Sequence, residues 1–340
     1  MAALSPEAER QWVATTLPKV SRTFALCIRL LPRRLKHPVA VAYLLCRIAD
    51  TIEDSPTLSA ADKSALLDEF RDGLSTDRDP ARVQAAFAPS RSDDEQLARE
   101  ADQALAAFRR LPPEMRDRIR PHVREMCDGM AEFACTREAA GALFTLPDIA
   151  SLDRYCYFVA GTVGHLLTSL FTLHSTDIDA ERRARLDALA TSFGLGLQLT
   201  NIIKDVTVDR DRGWSFVPAE LCRRFGVRPE DLLRPERRAE AMEVVRVLSA
   251  KARKHLDDAL TYCITLPRGE YGIRMFCLIA LYLAIRTLRL AECDPRLLDR
   301  GHKLKITRGA VKRTLFAAGV VAPSNGLVRA YYGALARAER

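Results

Sequence analysis

Within the segment Val39–Asp54, four side chains able to hold a charged ligand, Tyr43, Arg47, Asp50 and Asp54, recur at intervals of four, three and four residues. Those intervals stack them on one face of a helix, with Glu53 on the same side as Asp50. The rest of the circumference is Val, Ala, Leu and Ile, the pattern of a helix buried in a core. Carboxylates set against apolar walls are costly unless a cation compensates them. Taken alone, a salt bridge from Arg47 to Asp50 would supply that cation as well as a metal would.

A second stripe changes the balance. In Phe193–Asp209, Asn201, Asp205 and Asp209 follow one another at four-residue spacing, with Gln198 one turn earlier and Lys204 beside them. A solvated helix end running into Asp209-Arg-Asp-Arg212 would account for Asp209, but less easily for Asn201. Two helices of this kind facing each other would make an oxygen-lined cleft suited to Mg²⁺, which prefers carboxylates, waters and substrate phosphates. The expected ligands are Asp50, Glu53, Asp54, Asn201, Asp205 and Asp209, and the cations Arg47, Lys204 and Arg212 stand ready for a diphosphate. An allylic diphosphate leaves when its charge is neutralised, and the carbocation left behind must be kept from water by an apolar cavity.

The elements that must position these residues are helices. Apolar residues recur at three- and four-residue spacing through Val39–Ile52, Leu66–Leu74, Leu97–Leu111, Leu152–Leu173, Leu186–Val206, Val244–Leu260 and Tyr271–Leu290. Strand-like alternation is missing, so the spacing predicts six or more core helices and no sheet. Breaks are expected at Ser55-Pro56, Leu111-Pro112-Pro113, Leu146-Pro147 and Leu266-Pro267. The polar stretch Thr76–Gln96 reads as an exposed loop. With no repeat and no long linker, the 340 residues are expected to form one all-α domain around a central cavity.

Composition bounds the setting. The net charge of +8 suits an anionic partner, be it diphosphate, an acidic membrane surface or nucleic acid. No basic-aromatic interleaving supports nucleic acid. Cys27, Cys46, Cys156 and Cys277 lie in apolar runs, where thiols act as small hydrophobes, and no Cys-x-x-Cys pair suggests zinc. Neither a signal peptide at the N-terminus nor an uncharged apolar run of about 18 residues is read, so a cytoplasmic protein with no transmembrane segment is expected.

These residues resemble the squalene and phytoene synthase family from about Val20 to Val311. Val20-Ser-Arg-Thr-Phe24 is similar to its N-terminal diphosphate-binding segment, which implies contacts from Ser21 and Arg22. Tyr43, Arg47 and Asp50–Asp54 match the first aspartate motif, and Tyr155–Gly164 the central tyrosine motif. Asn201–Asp209 with Phe216-Val-Pro218 matches the second aspartate motif. The resemblance implies a helical isoprenoid-synthase fold, Mg²⁺, and farnesyl diphosphate joined head to head through a cyclopropylcarbinyl diphosphate. Tyr155, with Tyr43 and Arg47, is implied in catalysis, Tyr155 as the residue moving a proton in the first half-reaction. Val208 stands where the second motif commonly has an acid, and Trp214 where many members have Arg.

Between Arg300 and Arg313 stand six basic residues and no acid. The Lys-Ile-x-x-Gly pattern here is similar to a segment of squalene synthases beside NADPH, which implies Lys303, Lys305 and Arg308, with Lys204, as cofactor contacts. A basic surface on anionic lipid remains the other reading, and with it a peripheral membrane association. Within the family, phytoene, dehydrosqualene and hydroxysqualene synthases share the first half-reaction without the reduction. A helical assembly factor without catalysis would have no need of Asp50, Asp54, Asp205 and Asp209.

Overall fold

The computed structural model describes residues 5–139 and 143–337. By its contacts the chain divides into two compact units, Met1–Ala139 with His165–Thr176, and Ala140–Gly164 with Asp177–Arg340.

The first unit opens with α1 (Pro6–Val20), α2 (Arg22–Leu30) and α3 (Arg33–Asp54). Ser5 and Ser21 cap α1 and α2, each accepting a backbone N–H three residues on. α4 (Ala60–Gly73), α5 (Ala81–Ala86), α6 (Asp93–Arg99), α7 (Ala101–Arg109) and α8 (Pro113–Ala139) follow. α3 is the hub, packed on α1, α4, α6, α7 and α8. Leu35, Leu44, Leu45, Ile48, Ala49 and Ile52 are 0% exposed, so its apolar circumference is spent on neighbours, as its sequence requires.

The second unit contains α9 (Ile149–Cys156), a π-helical turn (Tyr157–Gly161) and the start of α10 (Thr162–His174). α11 (Ala180–Lys204), α12 (Val206–Asp211), α13 (Ala219–Arg224), α14 (Arg238–Thr265), α15 (Tyr271–Cys293), α16 (Arg308–Val321) and α17 (Asn325–Arg337) complete it. α11 packs on α14, on α15 and on the π turn, while α15 carries α16 and α17. Fully buried Arg274 binds where the last helices meet. Its guanidinium donates to the carbonyls of Ala322 (2.8 Å), Cys263 (3.1 Å) and Leu266 (2.7 Å) and to Asn325 Oδ1 (2.7 Å).

Three of the four expected proline breaks fall just beyond helix ends, and the fourth, Leu146-Pro147, lies just before the start of α9. Four expectations need correction. A two-stranded parallel pair exists, Phe144–Thr145 (β1) beside Trp214–Ser215 (β2). Thr76–Gln96 is not one loop, because Ala81–Ala86 and the capped start of α6 make helical turns there. The second stripe does not sit on one uninterrupted helix, because α11 ends at Lys204 and α12 begins at Val206. Finally, the 26-residue helical run Ile149–His174 contains an 18-residue stretch of mean hydropathy 1.4, long and apolar enough to cross a membrane by length and composition alone. Its Tyr, Thr, Ser and His residues hid that run from a reading for pure aliphatics, and Leu152, Cys156, Leu166, Leu170 and Phe171 are buried against protein.

Candidate active site

In the first unit the α3 stripe meets the N-terminus of α2. Tyr43 receives the Phe24 ring at 5.5 Å between centroids and hydrogen-bonds Ser21, so two segments far apart in sequence become neighbours. Burial pushes the Tyr43 phenol above its ordinary range, with the Ser21 hydrogen bond opposing. Arg47 holds the centre. Its Nη1 donates to Asp50 Oδ2 at 2.6 Å, while Nε and Nη2 donate to Asp94 Oδ1 and Oδ2 at 2.9 and 3.0 Å. The bidentate fork fixes the guanidinium plane. Burial works to lower the Arg47 pKa, but the Asp94 hydrogen bond and the charges of Asp50 and Asp94 outweigh it and raise it.

Asp50 is pushed up to about 6, chiefly by burial and next by the Asp54 carboxylate, against the pull of Arg47. Two carboxylates one turn apart in a poorly solvated place are a site short of positive charge, which fits a hard divalent cation. The expectation that Glu53 shares this accessible face is corrected. Glu53 is 0% exposed, whereas the Asp50 side chain is 35% exposed and Asp54 is half-buried. Asp94 is the residue that sequence reasoning missed; only the Ser92 cap and the acidic first turn of α6 mark it locally.

In the second unit the other stripe straddles the junction of α11 and α12. Asp205 caps α11 at φ −103°, yet its N–H donates to the Asn201 carbonyl (2.8 Å) and the Asp209 N–H donates to the Asp205 carbonyl (2.9 Å). The i→i+4 pattern therefore survives the break, and Asn201, Asp205 and Asp209 keep their helical spacing. Lys204 Nζ lies 2.8 Å from Asp205 Oδ2, so this stripe, like the first, carries its own cation. Among the described residues no three carboxylates, imidazoles or thiolates converge into a protein-only cage. Mg²⁺ needs none, since it keeps waters and substrate oxygens in its shell.

Tyr155 stands in the last turn of α9, two residues before the π turn, and is only 4% exposed. Its ring stacks on Phe216 at 4.5 Å and 19°, and Phe216 in turn meets Phe144 and Trp214 edge-on at 6.4 and 6.3 Å. The two-residue strands thus serve as the mount for an aromatic cluster that fixes Tyr155. The Arg212 guanidinium covers Trp214 at 5.6 Å, returning a cation to the position where the family motif has Arg. Single-turn π-helices often mark functional sites. This one is held by glycines: a methyl on Gly164 would lie 2.2 Å from the Ala190 carbonyl oxygen, and one on Gly194 2.3 Å from that of Ala160. Close helix packing, rather than cavity shaping, requires these glycines.

The basic segment lies beside the second stripe. Thr207 of α12 donates to the His302 carbonyl at 3.4 Å, and Arg300 approaches Asp211 at 3.5 Å. Lys303, Lys305 and Arg308 are exposed, while Leu304 is buried as the anchor between them. Ser21 is half-buried and Arg22 exposed at the start of α2.

The sequence matches the squalene/phytoene synthase family over residues 17–310. It is 31% identical to the squalene synthase of Schizosaccharomyces pombe over 289 residues, 85% of this chain and 61% of that protein. To the squalene synthase of Mus musculus it is 32% identical over 275 residues, 80% of this chain and 61% of that protein. The chain therefore spans about three fifths of the length of these curated relatives. Among solved structures, a complex of TcSQS with a ligand is similar at a TM-score of 0.81 and 26% identity, over 98% of this chain and 92% of that one. A dehydrosqualene synthase in complex with a ligand shares the fold at a TM-score of 0.66 and 20% identity, over 96% and 98% of the two chains.

Proposed function

This chain belongs to the squalene/phytoene synthase family, and from that premise we propose that it is a squalene synthase joining two farnesyl diphosphates head to head. The observation that carries the proposal is the pair of acidic helix faces, Asp50/Asp54 and Asn201/Asp205/Asp209, each with its own cation, Arg47 and Lys204. The family match runs through both compact units, so one catalytic function is assigned to the whole chain.

In this reading Asp50 and Asp54, and Asn201, Asp205 and Asp209, would hold Mg²⁺, with Glu53 behind Asp50 and Asp54 in the core of the first unit. The metal supplies charge neutralisation for the departing diphosphate. Arg47, fixed in orientation by Asp94, offers its guanidinium to diphosphate oxygens, and Ser21, Arg22, Lys204 and Arg212 add further donors. The C1–O bond of one farnesyl diphosphate breaks. The double bond of the second attacks, and a proton leaves to close the cyclopropane; Tyr155, clamped by Phe216, is the group proposed to receive or relay it. Loss of the second diphosphate would give a cation that rearranges; Lys303, Lys305, Arg308 and Lys204 would hold NADPH, which would supply the hydride that quenches it. The likeness to the squalene synthases of Schizosaccharomyces pombe and Mus musculus, at 31% and 32% identity, supports this ahead of a proton-loss ending.

Incubation of the protein with farnesyl diphosphate and Mg²⁺, with and without NADPH, tests it. Squalene formed only with NADPH is expected. The same hydrocarbon with and without NADPH overturns the reductive reading in favour of a phytoene-type or dehydrosqualene-type synthase, and no consumption of farnesyl diphosphate overturns the synthase reading itself.

A further inference from the structure

α16 presents two unlike faces. Thr314, Ala318 and Val321 are buried against the unit, and Ala322 closes the helix at 0% exposure. On the opposite face Arg308, Gly309, Lys312, Arg313, Phe316 and Val320 are all exposed. The intervals from Gly309 to Val320 are three and four residues, so these side chains make one stripe: cations in the first two turns, bare hydrophobes in the last two. Phe316 is 77% exposed and Val320 57%, and Leu327, at the start of α17, adds another apolar side chain at 50%. No acid occurs from Arg300 to Val320.

An exposed phenylalanine followed one turn later by an exposed valine is a cost to an isolated protein in water, since each leaves apolar area that burial would stabilise. The cations beside them decide what covers it. A stripe that is basic at one end, apolar at the other and free of acid complements an interface with negative headgroups above a hydrocarbon layer. A protein partner would need an acidic rim and an apolar pocket in the same register, whereas an anionic bilayer offers both everywhere. The family match ends at residue 310, between Gly309 and Lys312 of this stripe.

We propose that the exposed face of α16, with Lys312, Arg313, Phe316 and Val320 at its centre, docks the protein on an anionic lipid surface. The face stands on geometry and charge alone and does not depend on the synthase reading. If both hold, docking puts a hydrocarbon product next to the phase that dissolves it.

Vesicle co-sedimentation of the full chain tests the proposal, using phosphatidylcholine alone and phosphatidylcholine mixed with phosphatidylglycerol, at low and high salt. Binding to the mixed vesicles is expected, weakened by salt and absent on phosphatidylcholine alone. Lys312→Gln with Arg313→Gln should lower the partition coefficient by about thirtyfold. Phe316→Ser with Val320→Ser should lower it by at least about tenfold. Both variants keep Lys303, Lys305 and Arg308, so turnover of dispersed farnesyl diphosphate and the KM for NADPH should stay at wild-type values. Wild type that ignores anionic vesicles overturns the proposal, as do variants that bind like wild type. So does a concentration-dependent self-association that Phe316→Ser abolishes, since a second copy then covers the face. Vesicle binding by a protein that leaves farnesyl diphosphate untouched would instead sink only the synthase reading.

Discussion

Gly194→Ala should both weaken the fold and slow the reaction, although alanine is the better helix former. A methyl at this position would lie 2.3 Å from the Ala160 carbonyl oxygen, 2.5 Å from its carbon and 2.7 Å from the Gly161 nitrogen. Carbon needs about 3.5 Å from such atoms, so α11 and the π turn must part by about an ångström. Every atom it meets is backbone, and no rotamer change relieves the clash. Overpacking of this kind costs about 1–3 kcal/mol, with the upper half expected here. Helix propensity returns up to about 1 kcal/mol. The net loss is about 1–2 kcal/mol, which lowers Tm by roughly 1.5–3 °C for a chain of this size. Gly333→Ala is the control, because its methyl would meet only the flexible Arg337 guanidinium at 3.4 Å. That variant should gain about 0.5–1 kcal/mol. Thermal melting by circular dichroism reads both. Turnover separates them further, since the π turn begins two residues after Tyr155 and its displacement moves that ring. If Gly194→Ala melts at or above the wild-type temperature, the close-packing argument is wrong.

Asp54→Asn or Asp205→Asn removes a ligand charge with almost no change of shape, so turnover should vanish while the helical spectrum persists; near-normal rates at limiting Mg²⁺ would remove both from the metal site. Tyr155→Phe should slow farnesyl diphosphate consumption by roughly 10²–10⁴, yet leave conversion of supplied cyclopropylcarbinyl diphosphate intact, and equal losses on both substrates would end its assignment to the first half-reaction. Asp94→Asn keeps the shape but loses the charged fork on Arg47, so the KM for farnesyl diphosphate should rise about tenfold or more; an unchanged KM means Arg47 needs no such orientation. Alanine at Lys303, Lys305 and Arg308 together should raise the KM for NADPH and leave formation of the cyclopropyl intermediate unaltered, measured by product analysis at limiting NADPH.

The helices were legible wherever periodicity met a strong terminator. Proline after Ser55, Leu111 and Leu266 marks helix ends through a local steric rule that needs no partner, and the one after Leu146 marks the approach to α9. Stripe spacing was equally local, which is why Tyr43, Arg47, Asp50 and Asp54 came out together. Asp94 did not, because its value lies in reaching Arg47 across 47 residues of chain, and a lone aspartate in a polar stretch carries no mark of that. Glu53 misled for a related reason: a 60° offset from Asp50 on a helix separates core from cleft only once the neighbouring helices are in place. The break at Asp205 was invisible because the hydrogen bonds to Asn201 and from Asp209 preserve the periodicity that a sequence reading detects. β1 and β2 escaped because two residues are too few to alternate.

Arg274 gives the C-terminal helices a mechanical character. Its four acceptors come from the ends of α14 and α16 and the start of α17, and none is a carboxylate. Carbonyls at helix C-termini carry partial negative charge, so a single guanidinium neutralises two helix ends without an ion pair that salt or pH could release. The last turn of α16 and the first of α17 therefore cannot fray one residue at a time. They open only by withdrawing a buried cation, which couples their amide exchange to that of α14 and α15. A pull on α16 from outside is borne by the middle of the unit, and a terminal hairpin that would otherwise be the softest part of the chain becomes a lever fixed at its root.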